Sequence, residues 1–150
     1  MYYAQGNLAR AQGQISEARK LYDDALRILN DISPAHILVA CTHYKIACVE
    51  HTMGNSADAR RNLETAANLI EIHRRGVDDG NLARILWKRA EIDLSEPSAW
   101  ELQQQRADAE AVRDEAEEMR IRIEKTSGIV TSVEDADEET YDRLVCGYFR

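Results

Sequence analysis

The sequence predicts an all-α fold, an α-solenoid of about six helices in antiparallel pairs followed by an acidic C-terminal tail. Three observations carry that prediction. Ala, Leu, Arg and Glu, all good helix formers, dominate a chain of 150 residues with only two prolines and seven glycines. The chain also repeats itself. Shifted by 41 residues, Gly13 falls on Gly54, Ala18 on Ala59, Tyr22 on Leu63 and Ala25 on Ala66, while Tyr3 falls on Tyr44 and Gly6 on Ala47. A further shift of 43 carries Tyr44-Lys45 onto Trp87-Lys88, Ala40 onto Ala83 and Ala47 onto Ala90. Small residues recurring between large ones mark places where helices approach closely, and periods of this length mark stacked arrays. Third, charge is divided unevenly: residues 1–90 hold 12 basic and 10 acidic side chains, residues 91–150 hold 7 and 17, within a net charge of −8.

The elements follow in order. A first helix is expected over about residues 2–13, and a second over about 16–30. The second carries Ala18, Leu21, Tyr22, Ala25, Leu26 and Leu29 at helical spacing. Ser33-Pro34 opens a third, with Ser as N-cap and Pro at the first helical position, and Gly54 ends it. Asn55 or Ser56 caps a fourth with Leu63, Ala66, Ala67 and Ile70 inward. Gly76 and Asp78-Asp79-Gly80 break the chain before a fifth, about 81–94. Ser98-Ala99-Trp100-Glu101 has the form of a capping box for a sixth, reaching about Lys125. Its stripe of Leu102, Gln105, Ala109, Val112, Ala116, Met119 and Ile123 suits a helix that covers the last pair and overhangs, with an intermolecular coiled coil as the rival. The resulting domain spans 2–125, in repeats of about 2–32, 33–77 and 78–125. The tail, 126–150, is acidic with little to bury and is expected to be largely disordered, ending in a short apolar stretch.

The pattern Gly13-x-Ile15-x-x-Ala18-x-x-x-Tyr22-x-x-Ala25, returning as Gly54-x-Ser56-x-x-Ala59-x-x-x-Leu63-x-x-Ala66, resembles the tetratricopeptide repeat, and Tyr2 and Gly6 stand where that repeat keeps an aromatic and a glycine. The period exceeds the usual ~34 residues and is similar to the longer-helix subclass seen in kinesin light chains. Residues 44–50 and 78–88, and the ending Tyr141–Arg150, look like the C-terminal repeats of large fungal tetratricopeptide proteins, many of them NB-ARC-type regulators. The resemblance covers 2–94 closely and 98–125 loosely, where the sixth helix lacks the Ala-x-x-x-aromatic-x-x-Ala pattern. It implies a right-handed superhelical stack and a protein–protein interaction module, a fragment or short paralogue of a larger fungal regulator with repeats upstream of helix one.

Catalytic constellations are absent from the sequence. It has no phosphate-cradling Gly-rich loop, no Gly-x-Ser-x-Gly elbow and no His-Glu-x-x-His helix, so no enzyme activity, cofactor or metal is expected. His36, His43 and His51 lie near Cys41 and Cys48, but His36 and Cys41 differ by about 500° in azimuth on a helix, off any shared face. Cys41 and Cys48, seven residues apart, would hold their Cα atoms ~10 Å apart, beyond the about 7 Å a disulfide spans. With Cys146 they suggest a reducing, cytoplasmic setting. The acidic tail argues against nucleic-acid phosphates as partners. No apolar run approaches the roughly 20 residues that cross a membrane.

The resemblance also implies that the first helix of each pair lines a concave, ligand-bearing face. Carried over, that geometry gives Tyr3 and Asn7 on helix one, Cys41, Tyr44, Lys45 and Cys48 on helix three, and Arg84, Trp87, Lys88 and Glu91 on helix five. The spacings within each helix suit one face. They would make an aromatic row, Tyr3–Tyr44–Trp87, beside three cations, Lys45, Arg84 and Lys88. Packing between repeats, with lysines paired to Glu50 or Glu91, explains the same residues without a ligand. Asn7, Arg84 and Lys88 match the carboxylate clamp of chaperone-binding relatives, whereas Tyr3 replaces a lysine and Lys45 an asparagine, so no Hsp90 or Hsp70 binding is assigned. The expected ligand is a peptide or protein partner with an acidic group or a C-terminal carboxylate. One such segment is internal: residues 134–150 could fold back onto this face across a ~15-residue linker spanning ~20 Å. The alternative function is a self-associating scaffold, a homo-oligomer formed through the N-terminal edge and the long last helix.

Overall fold

The computed structural model describes residues 1–74, 76–95, 102–128 and 136–145. These form seven helices: α1 (Tyr2–Ala11), α2 (Ile15–Ile32), α3 (Ile37–Thr52), α4 (Ser56–Arg74), α5 (Gly80–Ser95), α6 (Leu102–Ser127) and α7 (Glu138–Asp142). Among the described residues there is no strand. The chain divides into two compact units, Met1–His73 and the residues from Arg74 onward.

In the first unit, α1 turns into α2 at Gly13 and α3 into α4 at Gly54, both with φ in the left-handed region, at 73° and 82°, where a Cβ would be strained. Contacts pair residues of consecutive helices: Asn7 of α1 with Tyr22 of α2, Arg19 of α2 with Glu50 of α3, and His43 of α3 with Asn62 of α4. That is the register of consecutive antiparallel helices. The inward residues are those the repeat marks, since Ala18, Tyr22 and Ala25 of α2 and Ala59, Leu63, Ala66 and Ile70 of α4 are all buried. Gly6 is a close approach between α1 and α2. A Cβ there would lie 2.5 Å from Tyr22 Cε1, so α1 can approach α2 only without a side chain.

The third helix begins later than Ser33-Pro34 suggests. Ser33 to His36 instead close a turn, the His36 amide donating to the Ser33 carbonyl at 3.0 Å with Pro34 at the position of a β-turn that its fixed φ favours. His36 is the N-cap, its Nδ1 accepting from the Leu38 amide at 3.0 Å. From Val39 to Glu50 every residue of α3 except His43 is buried, Lys45 and Glu50 included. A helix buried on all sides needs no polar face, which accounts for its run of Ile, Val, Ala and Cys.

In the second unit, Asp79 caps α5 through its carboxylate, which accepts from the amides of Asn81 at 2.7 Å and Leu82 at 3.3 Å. α6 packs on α5 with Ala109, Ala116, Met119 and Arg120 buried, while Gln105, on the expected stripe, is exposed. Arg122 grips Asp78 in a fork, at 2.7 and 3.1 Å. The described part of the tail departs from expectation. α6 runs on to Ser127, and within the stretch expected to be disordered a seventh helix, α7, forms and packs on α5. A capping box explains its local stability. The Asp137 carboxylate accepts from the Thr140 amide, and Thr140 Oγ1 accepts from the Asp137 amide. The capping box expected at Ser98–Glu101, residues 129–135 and Cys146–Arg150 lie outside the described residues.

Candidate functional site

The expected site residues fall in both units, and their surroundings differ. In the first, Tyr3 is buried and its ring centroid lies 6.0 Å from that of Tyr22. Asn7 accepts from the Tyr22 hydroxyl at 2.8 Å. Both therefore contribute to the α1–α2 hairpin. Tyr44, Lys45 and Cys48 are buried in α3, with the Lys45 ammonium 5.5 Å from the Tyr44 ring centroid. His43 pairs with Asn62 at 2.8 Å, a structural use of a histidine that lay near the two cysteines. Cys41 and Cys48 are buried thiols.

In the second unit the four residues of α5 form one continuous arrangement, and the last segment of the described chain lies against it. The Arg84 guanidinium is wholly buried. It donates to Asp142 Oδ1 at 3.1 Å and to Asn81 Oδ1 at 3.1 Å. One helical turn later, Lys88 Nζ lies 3.0 Å from Glu138 Oε2 and 2.5 Å from Glu91 Oε2. Between them the Trp87 ring stacks on Tyr141 with centroids 5.4 Å apart and an interplanar angle of 26°. Lys88 also sits 5.1 Å from the Trp87 centroid, close enough for a cation–π attraction.

Behind Tyr141 stands a second layer that the sequence did not single out. The Tyr141 hydroxyl donates to Glu117 Oε2 at 3.1 Å. Glu117 in turn accepts from Arg120, whose Nη1 also donates to Glu124 at 2.7 Å. Burial, then the neighbouring Glu117 carboxylate, push the Tyr141 phenol well above its ordinary value. The Arg120 hydrogen bond holds the Glu117 carboxyl below its ordinary value against the opposing effect of burial. The signal available in the sequence was the spacing of Glu138, Tyr141 and Asp142, which puts all three on one side of a helix.

The carboxyls imply an acid-sensitive seat. The Asp137 carboxyl is lowered, first by the Thr140 amide, as Glu117 is by Arg120. A carboxyl depressed by folding stabilises the folded state above its unfolded pKa, and the contribution is lost as pH falls through the folded value. α7 is therefore expected to leave α5 at pH values below the ordinary 4.5 of Glu117 and 3.8 of Asp137. The NMR shift of the Trp87 indole N–H, followed through that range, checks this; a shift that stays constant while helicity is retained counts against it.

Helix pairs joined by glycine turns, with small residues where they cross, define a helical-repeat protein. The family model described as tetratricopeptide repeat matches residues 1–72, and these residues belong to that family. Membership supports a protein–protein interaction module, built on a scaffold that is typically not enzymatic. No curated protein matches the chain. Among the described residues, no helix is long and apolar enough to cross a membrane.

Proposed function

We propose that this interaction module works through the Arg84–Trp87–Lys88 face of α5, and that its ligand is a partner segment carrying acidic groups beside an aromatic ring. The observation that supports this reading is the seating of Glu138, Tyr141 and Asp142 on those three residues. The chemistry is matched group by group. A guanidinium and an ammonium make charge-assisted hydrogen bonds to carboxylates, and an indole offers a flat face to a phenol ring. On this reading Tyr3 and Asn7 are framework, because each packs with Tyr22 in the α1–α2 hairpin, and Tyr44, Lys45 and Cys48, buried in α3, are read as framework with them. The ligand-bearing surface is accordingly narrower than the row expected from the repeat. Two buried thiols on α3 suit a reducing compartment, consistent with a cytoplasmic setting.

Titrating a fluorescein-labelled peptide of residues 136–145 into the full chain, with anisotropy as the readout, tests the proposal. Saturable binding that weakens at least tenfold with Lys88→Glu and weakens with added salt is the expected result. Equal binding by the wild-type and Lys88→Glu chains would remove α5 from the site.

A further inference from the structure

We infer that residues 136–145 are a tethered competitor for the α5 face, and that the partner they yield to carries the same triad: an acid, an aromatic three residues on, and a second acid beside it. This rests on the α5 face being the binding surface, and it names both the partner's chemistry and the regulation of that surface. The register is the first argument. Arg84 meets Asp142 and Lys88 meets Glu138, so a step of four along α5 is matched by a step of four, in the opposite sense, along α7. Trp87 and Tyr141 fill the space between the two ion pairs. A segment of chain that presents those three groups on one helical turn completes the whole arrangement.

The second argument is an asymmetry of burial. The α5 cations are 0% and 6% exposed at the side chain, while the acids facing them, Asp142 and Glu138, are 20% and 25% exposed. With α7 seated, the acids form the solvent-facing side of each ion pair and the α5 cations the inner side. Gly80 extends the fit: the Leu144 carbonyl occupies the place a Cβ at Gly80 would take, so the start of α5 admits a passing backbone. The third argument is that α7 has only five residues. A helix of that length does not persist alone in water, so its order depends on its seat. Tethering gives such a segment an effective concentration on the order of millimolar, and a competing ligand's apparent affinity falls in proportion to the fraction of open seats.

The test uses the full chain and the labelled peptide of residues 136–145 as probe. Tyr141→Ala removes the ring that stacks on Trp87, and Glu138→Lys reverses one ion pair while leaving the apolar contacts in place. Each is expected to raise the affinity for the added peptide at least tenfold, and to speed amide exchange in α7 with α5 still protected. Adding Lys88→Glu to either variant should abolish binding. Equal affinity for wild-type and tail-released chains overturns the competitor and leaves the α5 surface standing. Loss of α5 protection in both variants also overturns it, by showing the tail to be a structural part of the unit. No peptide binding once exchange shows α7 released would instead sink the surface itself.

Discussion

Replacing Arg84 with alanine is expected to destabilise the second unit by about 3–5 kcal/mol, the range seen when one partner of a buried ion pair is removed. Three losses combine there. Arg84 leads the largest fully buried side chains among the described residues, so truncation leaves a cavity whose lining can collapse only in part. Asn81, itself buried, loses the donor to its side-chain oxygen, and Asp142 loses its guanidinium partner. Asp142 is 20% exposed at its side chain, and water there offsets part of the penalty, which favours the lower end of the range. Arg84→Lys keeps the charge but not the two-pronged geometry, and should fall between wild type and alanine. Amide exchange along α5 reads the effect directly, with α1 and α2 as internal reference. A loss under about 1 kcal/mol, within the range of an ordinary exposed ion pair, would show that the guanidinium is not the anchor its burial indicates.

The contrast between what the sequence disclosed and what it hid has a physical origin. Ala18, Tyr22, Ala25, Ala59, Leu63 and Ala66 could be read as inward residues because their spacing is local and the period repeats it. The same register placed Arg84, Trp87 and Lys88 on one face of a helix. It could not tell that the cations are buried, because their partners lie 58 and 50 residues away, and no periodicity links segments so far apart. The order of the described tail residues, 136–145, was hidden for a related reason. The tail's run of acids suggests a chain with nothing to bury, whereas two of those acids face buried cations and a third, Asp137, caps the helix that carries Tyr141. Ser33-Pro34 shows a subtler ambiguity. Serine before proline suits both a helix start and a β-turn, and only the position of His36 decides between them.

The pairing of Gly6 with Tyr22 gives the most direct test of the repeat packing. Tyr22 is fully buried; its ring lies against α1 at Gly6 and beside Tyr3, and its hydroxyl donates to Asn7. Tyr22→Ala should cost about 3–5 kcal/mol, as other large aromatic truncations do. Tyr22→Phe, losing one hydrogen bond, should cost about 1 kcal/mol. The second repeat solves the same crossing with different volumes. Ala47 stands where Gly6 does and Leu63 where Tyr22 does, both buried, so a larger residue on one helix goes with a smaller one on the other. The sign of Gly6→Ala should therefore depend on its neighbour. In the wild-type chain the added methyl meets the Tyr22 ring and should destabilise by about 1–3 kcal/mol through overpacking. In the Tyr22→Ala background that clash is gone, and exchanging a mid-helix glycine for alanine should stabilise by up to about 1 kcal/mol. Chemical denaturation of the four chains completes a double-mutant cycle. A Gly6→Ala effect of the same sign and size in both backgrounds would mean that the two positions are not in contact, and the register of the first helix pair would have to shift.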